Sequence, residues 1–81
     1  MVILNYIEPY IILNSTKALN GTLLLIDEDG NEFRSYEMPG DLFFYTLKID
    51  TIGRKQGEMI TVVYKPDDAE PDQELMKTFY V

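Results

Sequence analysis

Apolar residues along this chain recur at spacings of one and two, broken every eight to twelve positions by Gly, Pro, Asn or Asp. That is the signature of short strands joined by turns rather than of helices. The first strand is expected over Val2–Ile7, with Val2, Leu4 and Tyr6 on one face and Ile3 and Ile7 on the other. Pro9 interrupts it, because proline cannot donate to a strand ladder. Tyr10-Ile11-Ile12-Leu13 then resumes as a second strand, apolar on both faces. Residues 14–21 are polar and end in Asn20-Gly21, a turn signal.

The stretch that organises the rest is residues 21–38. Leu23-Leu24-Leu25-Ile26 is a short apolar run between turn residues, suited to a strand covered on both sides. Asp27-Glu28-Asp29-Gly30-Asn31-Glu32 follows, where Gly30 and Asn31 can adopt the positive φ that tight hairpins require. Phe33 to Met38 runs back with mixed polarity, as a strand partly facing water should.

Pro39-Gly40-Asp41 predicts a turn. Residues 42–52 alternate most clearly, with Phe43, Tyr45, Leu47 and Ile49 on one face and Thr46, Lys48 and Asp50 on the other, beside Leu42 and Phe44. Residues 53–58 form a loop, and residues 59–64 a further strand in which Ile60, Val62 and Tyr64 alternate with Thr61 and Val63. Residues 66–74, PDDAEPDQE, read as an exposed acidic loop, in which Pro71 with Asp72 and Glu74 also suits a first helical turn. Residues 75–81 close the chain as a strand with Phe79 and Val81 facing the core. The expected fold is a single all-β domain over residues 1–81, a small antiparallel β-sandwich of six to seven strands or a small barrel. Residues 1–9 stand out within it as a candidate assembly strand.

Composition narrows the chemistry. The chain has no Cys, so neither a disulfide framework nor a thiolate zinc site is available. It has no His, the commonest acid–base residue near neutral pH and the commonest metal ligand. No serine or threonine therefore has a histidine partner, and no glycine-rich phosphate loop is present. Paired carboxylates alone could serve glycoside hydrolysis, but here they fall in loops with nothing marking a cleft. We expect no catalytic residues, no metal ligands and no cofactor.

Charge narrows the partners. Fourteen carboxylates against seven basic residues give −7, which disfavours direct binding to nucleic-acid phosphates or anionic lipid. No apolar run approaches the roughly 20 residues that span a membrane as a helix. The start, Met1-Val2-Ile3-Leu4-Asn5-Tyr6, lacks the basic region and cleavage site of a signal peptide, so an intracellular origin is expected.

Several residues invite a functional reading, each beside a plainer one. The Asp27-Glu28-Asp29-Gly30-Asn31-Glu32 cluster resembles a calcium loop in composition, but its spacing falls short of the EF-hand pattern, and these residue types also belong in hairpin turns. Asp67, Asp68, Glu70, Asp72 and Glu74 could present charge to a basic partner, or simply keep a small apolar protein dissolved and its edges unpaired. Arg54-Lys55 is the only adjacent basic pair, weak support for an anion grip. Asn14-Ser15-Thr16 and Asn20-Gly21-Thr22 match the N-glycosylation pattern, which has no consequence without export. The six tyrosines suit either an interface or ordinary strand formation.

The apolar excess near the start carries most weight. Residues 1–13 are apolar but for Asn5, Glu8 and Pro9. A two-layer domain of this size buries one face of each sheet, so strands apolar on both faces imply that the second face meets another chain. A closed barrel, or a helix covering the outer face, would explain the same pattern internally. The candidate interface residues are Val2, Ile3, Leu4, Tyr6, Ile7, Tyr10 and Ile12.

From Tyr10 onward the layout resembles the bacterial and bacteriophage immunoglobulin-like β-sandwich modules of adhesins and virion proteins. The resemblance rests on Asn20-Gly21-Thr22-Leu23, the Asp29-Gly30-Asn31 hairpin, Gly40-Asp41-Leu42-Phe43-Phe44-Tyr45 and Gly57-Glu58-Met59-Ile60-Thr61-Val62. The extra strand at the start and the loop over residues 66–74 depart from the family's simplest pattern. The resemblance implies a non-catalytic role in adhesion, decoration or spacing. The function expected is a structural or assembly module, a bacteriophage capsid-decoration, fibre or tail-associated component that contacts subunits of the same assembly as a homo- or hetero-oligomer. The alternative is a small acidic inhibitor binding a basic host or defence enzyme through its carboxylates, as a nucleic-acid mimic.

Overall fold

The computed structural model describes residues 2–67 and 75–81. Five strands alternate along the described chain: β1 Val2–Ile7, β2 Tyr10–Ile26, β3 Glu32–Lys48, β4 Met59–Pro66 and β5 Leu75–Tyr80. A single 3-10 turn, Ile49–Thr51, lies between β3 and β4. Every pairing is antiparallel. All five strands belong to one sheet curled into a half-barrel, so the all-β expectation holds in its barrel-like form rather than as two stacked sheets.

The long strand β2 is the axis of the fold. Along one of its edges runs β3, from Tyr10 opposite Lys48 to Ile26 opposite Glu32. The other edge is shared: β1 takes residues 10–15 and β4 takes residues 21–26, with β5 beyond β4. Each half of β2 therefore sits at the centre of its own patch of sheet. The two patches face each other across the core.

Two adjacent irregularities make the bend between them. Between the pairs Asn14–Phe44 and Leu19–Leu42, β2 spends five steps against two on β3; between Leu19–Leu42 and Asn20–Pro39, β3 spends the extra residues. Bulges of this kind break the ladder locally and turn a sheet through a corner. This corrects two expected turns. Residues 14–21 and Pro39-Gly40-Asp41 are bulged strand, so four anticipated strands become two long ones and the count falls from six or seven to five. Glycine and proline are equally at home in a bulge and in a turn, which is why local sequence misread them. Residue 49 onward also leaves the strand earlier than alternation suggested, because Ile49–Thr51 coil into the 3-10 turn.

Gly21 shows why Asn20-Gly21 is not a hairpin. A Cβ at this position would run into the backbone of Lys65 and Pro66, and φ is +154°. The glycine lets β4 pass close beside β2. Among the described residues, the hairpin turns are the two-residue Glu8-Pro9 connection, whose peptide is cis, and the Asp27–Asn31 turn.

The inward residues then follow the period of two. Leu4, Ile11, Leu13 and Leu47 come from one patch, Leu19, Leu23, Leu25, Met38, Ile60, Val62 and Tyr64 from the other, and Ile52 from the connection. Val2, Tyr6, Leu75, Phe79 and Val81 pack around this cluster. No buried side-chain polar atom among the described residues lacks a hydrogen-bond partner. The core is wholly apolar.

Candidate functional site

The pairings of β1, the first half of β2 and the second half of β3 fix which side chains share the outer face of that patch. Three rows cross it: Ile3, Asn14 and Phe44; Asn5, Ile12 and Thr46; Ile7, Tyr10 and Lys48. Ile3, Ile7, Tyr10 and Phe44 remain 46, 60, 40 and 54 % exposed, while Ile12 at the centre is half-buried by its neighbours. The sequence thus places large apolar groups at both ends of a three-stranded surface whose inner side is already occupied by core. None of the nine positions is a carboxylate, although the chain holds fourteen.

The seven candidate interface residues separate by strand alternation. Ile3, Ile7, Tyr10 and Ile12 come together on this outer face. Val2, Leu4 and Tyr6 turn the other way, with Leu4 fully enclosed opposite Leu13 and Tyr6 against the ring of Phe79. Those three serve the core and are not available to a partner on this face. Phe44 completes the face and was not among the candidates. Its signal was present in the alternation of residues 42–48, but only the register against Asn14 places it beside Ile3.

Phe43, which alternation puts on one face with Tyr45 and the buried Leu47, is exposed. It lies where β2 bulges away between Asn14 and Leu19, so no strand covers its side of β3. The remaining outer edge of β3 has no strand partner among the described residues. It carries Glu32, Arg34, Glu37, Asp41 and Lys48 with Pro39, the residue types that discourage edge-to-edge pairing.

The acidic turn has a structural use. Asp27 Oδ1 accepts hydrogen bonds from the backbone N–H groups of Asp29 and Asn31, both at 2.9 Å. Asp27 Oδ2 lies 3.9 Å from Arg54 Nη2, and Arg54 Nη1 lies 3.5 Å from Glu58 Oε2. The same guanidinium stacks 3.8 Å over the Phe33 ring. Arg54 is thereby committed to holding the β2–β3 hairpin against the loop before β4, and Lys55 beside it stays exposed. No group of three or more carboxylates among the described residues is placed to hold a metal. Of the acidic-loop candidates, Asp67 is described and exposed; its N–H bonds to Asn20 O at 2.9 Å. Asp68, Glu70, Asp72 and Glu74 lie outside the described residues.

An open cleft of about 270 Å³ sits beside the β1–β2 turn, bordered by Tyr6, Glu8, Lys48, Asp50, Arg54 and Gln56 among others. Its charges are mixed, and Lys48 Nζ already lies 3.8 Å from Asp50 Oδ2. Burial, and then the nearby Glu8 charge, push the Tyr6 phenol above its ordinary pKa, so it stays protonated at neutral pH. Nothing here pairs a nucleophile with a base. Compared with family models, with curated proteins and with solved structures, the chain finds no match.

Proposed function

We propose that this chain is a non-catalytic assembly module that joins neighbouring protein subunits through the outer face of β1, the first half of β2 and the second half of β3. One observation supports the reading above the others. Four large apolar side chains stand exposed on one continuous three-stranded surface that is free of carboxylates. Contiguous exposed apolar patches of a few hundred Å² mark interaction sites, whereas scattered apolar residues do not. The setting proposed is a virion, as decoration, fibre or tail-associated protein; this part rests on the module resemblance alone.

The test is sedimentation of the tagged chain in extract of the cells or particles that normally contain it. Wild type is expected in a particle far larger than 9.4 kDa. The double variant Ile7→Glu, Phe44→Glu should stay folded, since both side chains point outward, yet sediment as the free chain. A folded double variant that still enters the large particle refutes this assignment of the interface.

A further inference from the structure

Granting the assembly reading, we infer that the occupant of the outer face is a second copy of this chain, packed sheet against sheet about a two-fold axis passing near Ile12.

Charge argues first. At −7, two copies repel wherever their carboxylates meet, and carboxylates are spread over the β1–β2 turn, the β2–β3 turn, β3 and the loops before and after β4. The three rows on the outer face hold none, with Lys48 as their one ionisable side chain apart from the Tyr10 phenol. A basic partner would be drawn to the acidic surfaces instead, because complementary potential steers association. A face cleared of negative charge on an acidic protein suits a partner that is itself acidic.

Pattern argues second. An isologous contact requires the same patch to complement itself. Ile12 occupies the middle of the middle row, flanked by Asn5 and Thr46. Any two-fold axis lying between the two faces and passing through this point sets Ile12 of one copy over Ile12 of the other. With the axis along β2, Ile3 of each copy meets Phe44 of the other, and Asn14 meets Asn14, whose amide can both donate and accept. Ile3 and Phe44 thus find apolar counterparts and Tyr10 meets Tyr10, while Ile7 lies over the other copy's Lys48, whose aliphatic stem can cover it. Stacked sheets settle about 10 Å apart, a gap that side chains of this size fill.

Area argues third. The exposed fractions of Ile3, Ile7, Tyr10 and Phe44 amount to two whole large side chains, on the order of 400 Å² per copy at roughly 200 Å² each. With the polar members of the rows added, the two faces together approach the about 1,000 Å² at which an interface becomes specific. The contact is of the size of a modest, reversible dimer.

Two measurements on the purified full chain decide it. Light scattering behind a sizing column should give twice 9.4 kDa, both at low salt and at about 1 M salt, where charges are screened beyond about 3 Å. Phe44→Glu, folded by circular dichroism, should weaken the dimer at least tenfold. Because the chain has no native Cys, Ile12→Cys treated with a short bis-maleimide should give a covalent dimer, while Thr78→Cys, exposed on the outer side of β5, should not. A wild-type chain that remains monomeric to about 1 mM overturns the inference. So does a dimer that dissolves in high salt, or one indifferent to Phe44→Glu. A monomeric wild type that nevertheless enters the large particle in the sedimentation test overturns the second-copy inference alone and leaves the assembly reading standing.

Discussion

Tyr6 on β1 and Phe79 on β5 lie ring against ring, 5.5 Å between centroids with planes 51° apart, across a seam where the sheet has no ladder. Lys77 Nζ donates to Leu4 O at 3.1 Å along the same seam. β1 and β5 are the first and last strands, and these side-chain contacts are what bring them together in place of backbone pairing.

The seam is therefore expected to be energetically coupled. Phe79→Ala and Tyr6→Ala should each lower stability by about 2 kcal/mol, less than the roughly 3–5 typical of a fully buried aromatic because both rings are only half-buried. The double variant should lose less than the sum, leaving a coupling of about 0.5–1.5 kcal/mol, as aromatic pairs show. Urea titration of the four proteins closes the cycle. Simple additivity would mean that the seam is not held by this pair.

Two glycines separate steric from conformational cost. At Gly30, φ is +85° but nothing lies within 4 Å of an added Cβ, so Gly30→Ala should cost about 1 kcal/mol from the backbone alone. At Gly21 the Cβ would meet the backbone of Lys65, which cannot move without breaking the β2–β4 ladder. Gly21→Ala should cost several times more than Gly30→Ala in thermal or urea unfolding. Equal losses would show that β4 can yield at this point.

Arg54 holds Asp27, Glu58 and the Phe33 ring at once. Each contact is partly exposed and small by itself, roughly 0.2–1 kcal/mol. Arg54→Met should cost about 1–2 kcal/mol. Arg54→Lys should recover only part of it, since an ammonium cannot fork between two carboxylates while stacking on a ring. The loss should shrink in high salt, as measured by urea midpoints, because the ion pairs are screened and the ring contact less so.

What the sequence revealed divides along a physical line. The strands over residues 2–7 and 59–64 were legible because turn residues bound each short apolar run, although residues 2–7 are apolar on both faces and alternation did not say which face is covered. The Asp27–Asn31 hairpin was legible because its residues perform the turn chemistry themselves, with Asp27 accepting from Asp29 and Asn31. The bulges at residues 15–18 and 39–41 were not. Whether Pro39-Gly40 reverses a chain or only kinks it depends on β2 running alongside, a relation between residues twenty apart. The same limit hid Phe44 from the candidate face, and it put Leu4, which the core encloses, among the interface candidates. Alternation tells that two faces exist; only pairing tells which one is covered.

Two phenols give the fold an alkaline limit. Burial, and then the neighbouring Tyr36, raise the pKa of Tyr45, and burial with Glu8 raises that of Tyr6. The unfolded value is near 10, so below that pH both states are protonated and the stabilisation is complete. Above it the unfolded chain loses protons that the folded chain retains, and stability falls as pH climbs through the folded values. Unfolding free energy should therefore be insensitive to these groups at pH 7–9 and decline past about pH 10. Tyr45→Phe should flatten that decline. An unchanged slope in this variant would mean that the Tyr45 phenol titrates alike in both states.

The start of the chain tests the division between face and core most sharply. On sequence grounds residues 1–9 could be removed to leave a folded domain lacking only its assembly strand. In the structure β1 pairs with β2 from Val2–Ser15 to Ile7–Tyr10, and Leu4, 2 % exposed, fills the core against Leu13. Removing it would uncover Ile11 and Leu13 and free the edge of β2 beside them. With total stability of small domains at about 5–15 kcal/mol, that loss should abolish cooperative unfolding. Single substitutions make the same point without deleting backbone. Leu4→Ala should cost about 2–5 kcal/mol, as enclosed leucines do. Ile3→Ala, one residue earlier on the outer face, should cost under about 1 kcal/mol in the dilute monomer. The order of the two losses, read from chemical denaturation at low protein concentration, checks the register of β1 directly: a slip by one residue would exchange them, because every side chain of the strand would change face.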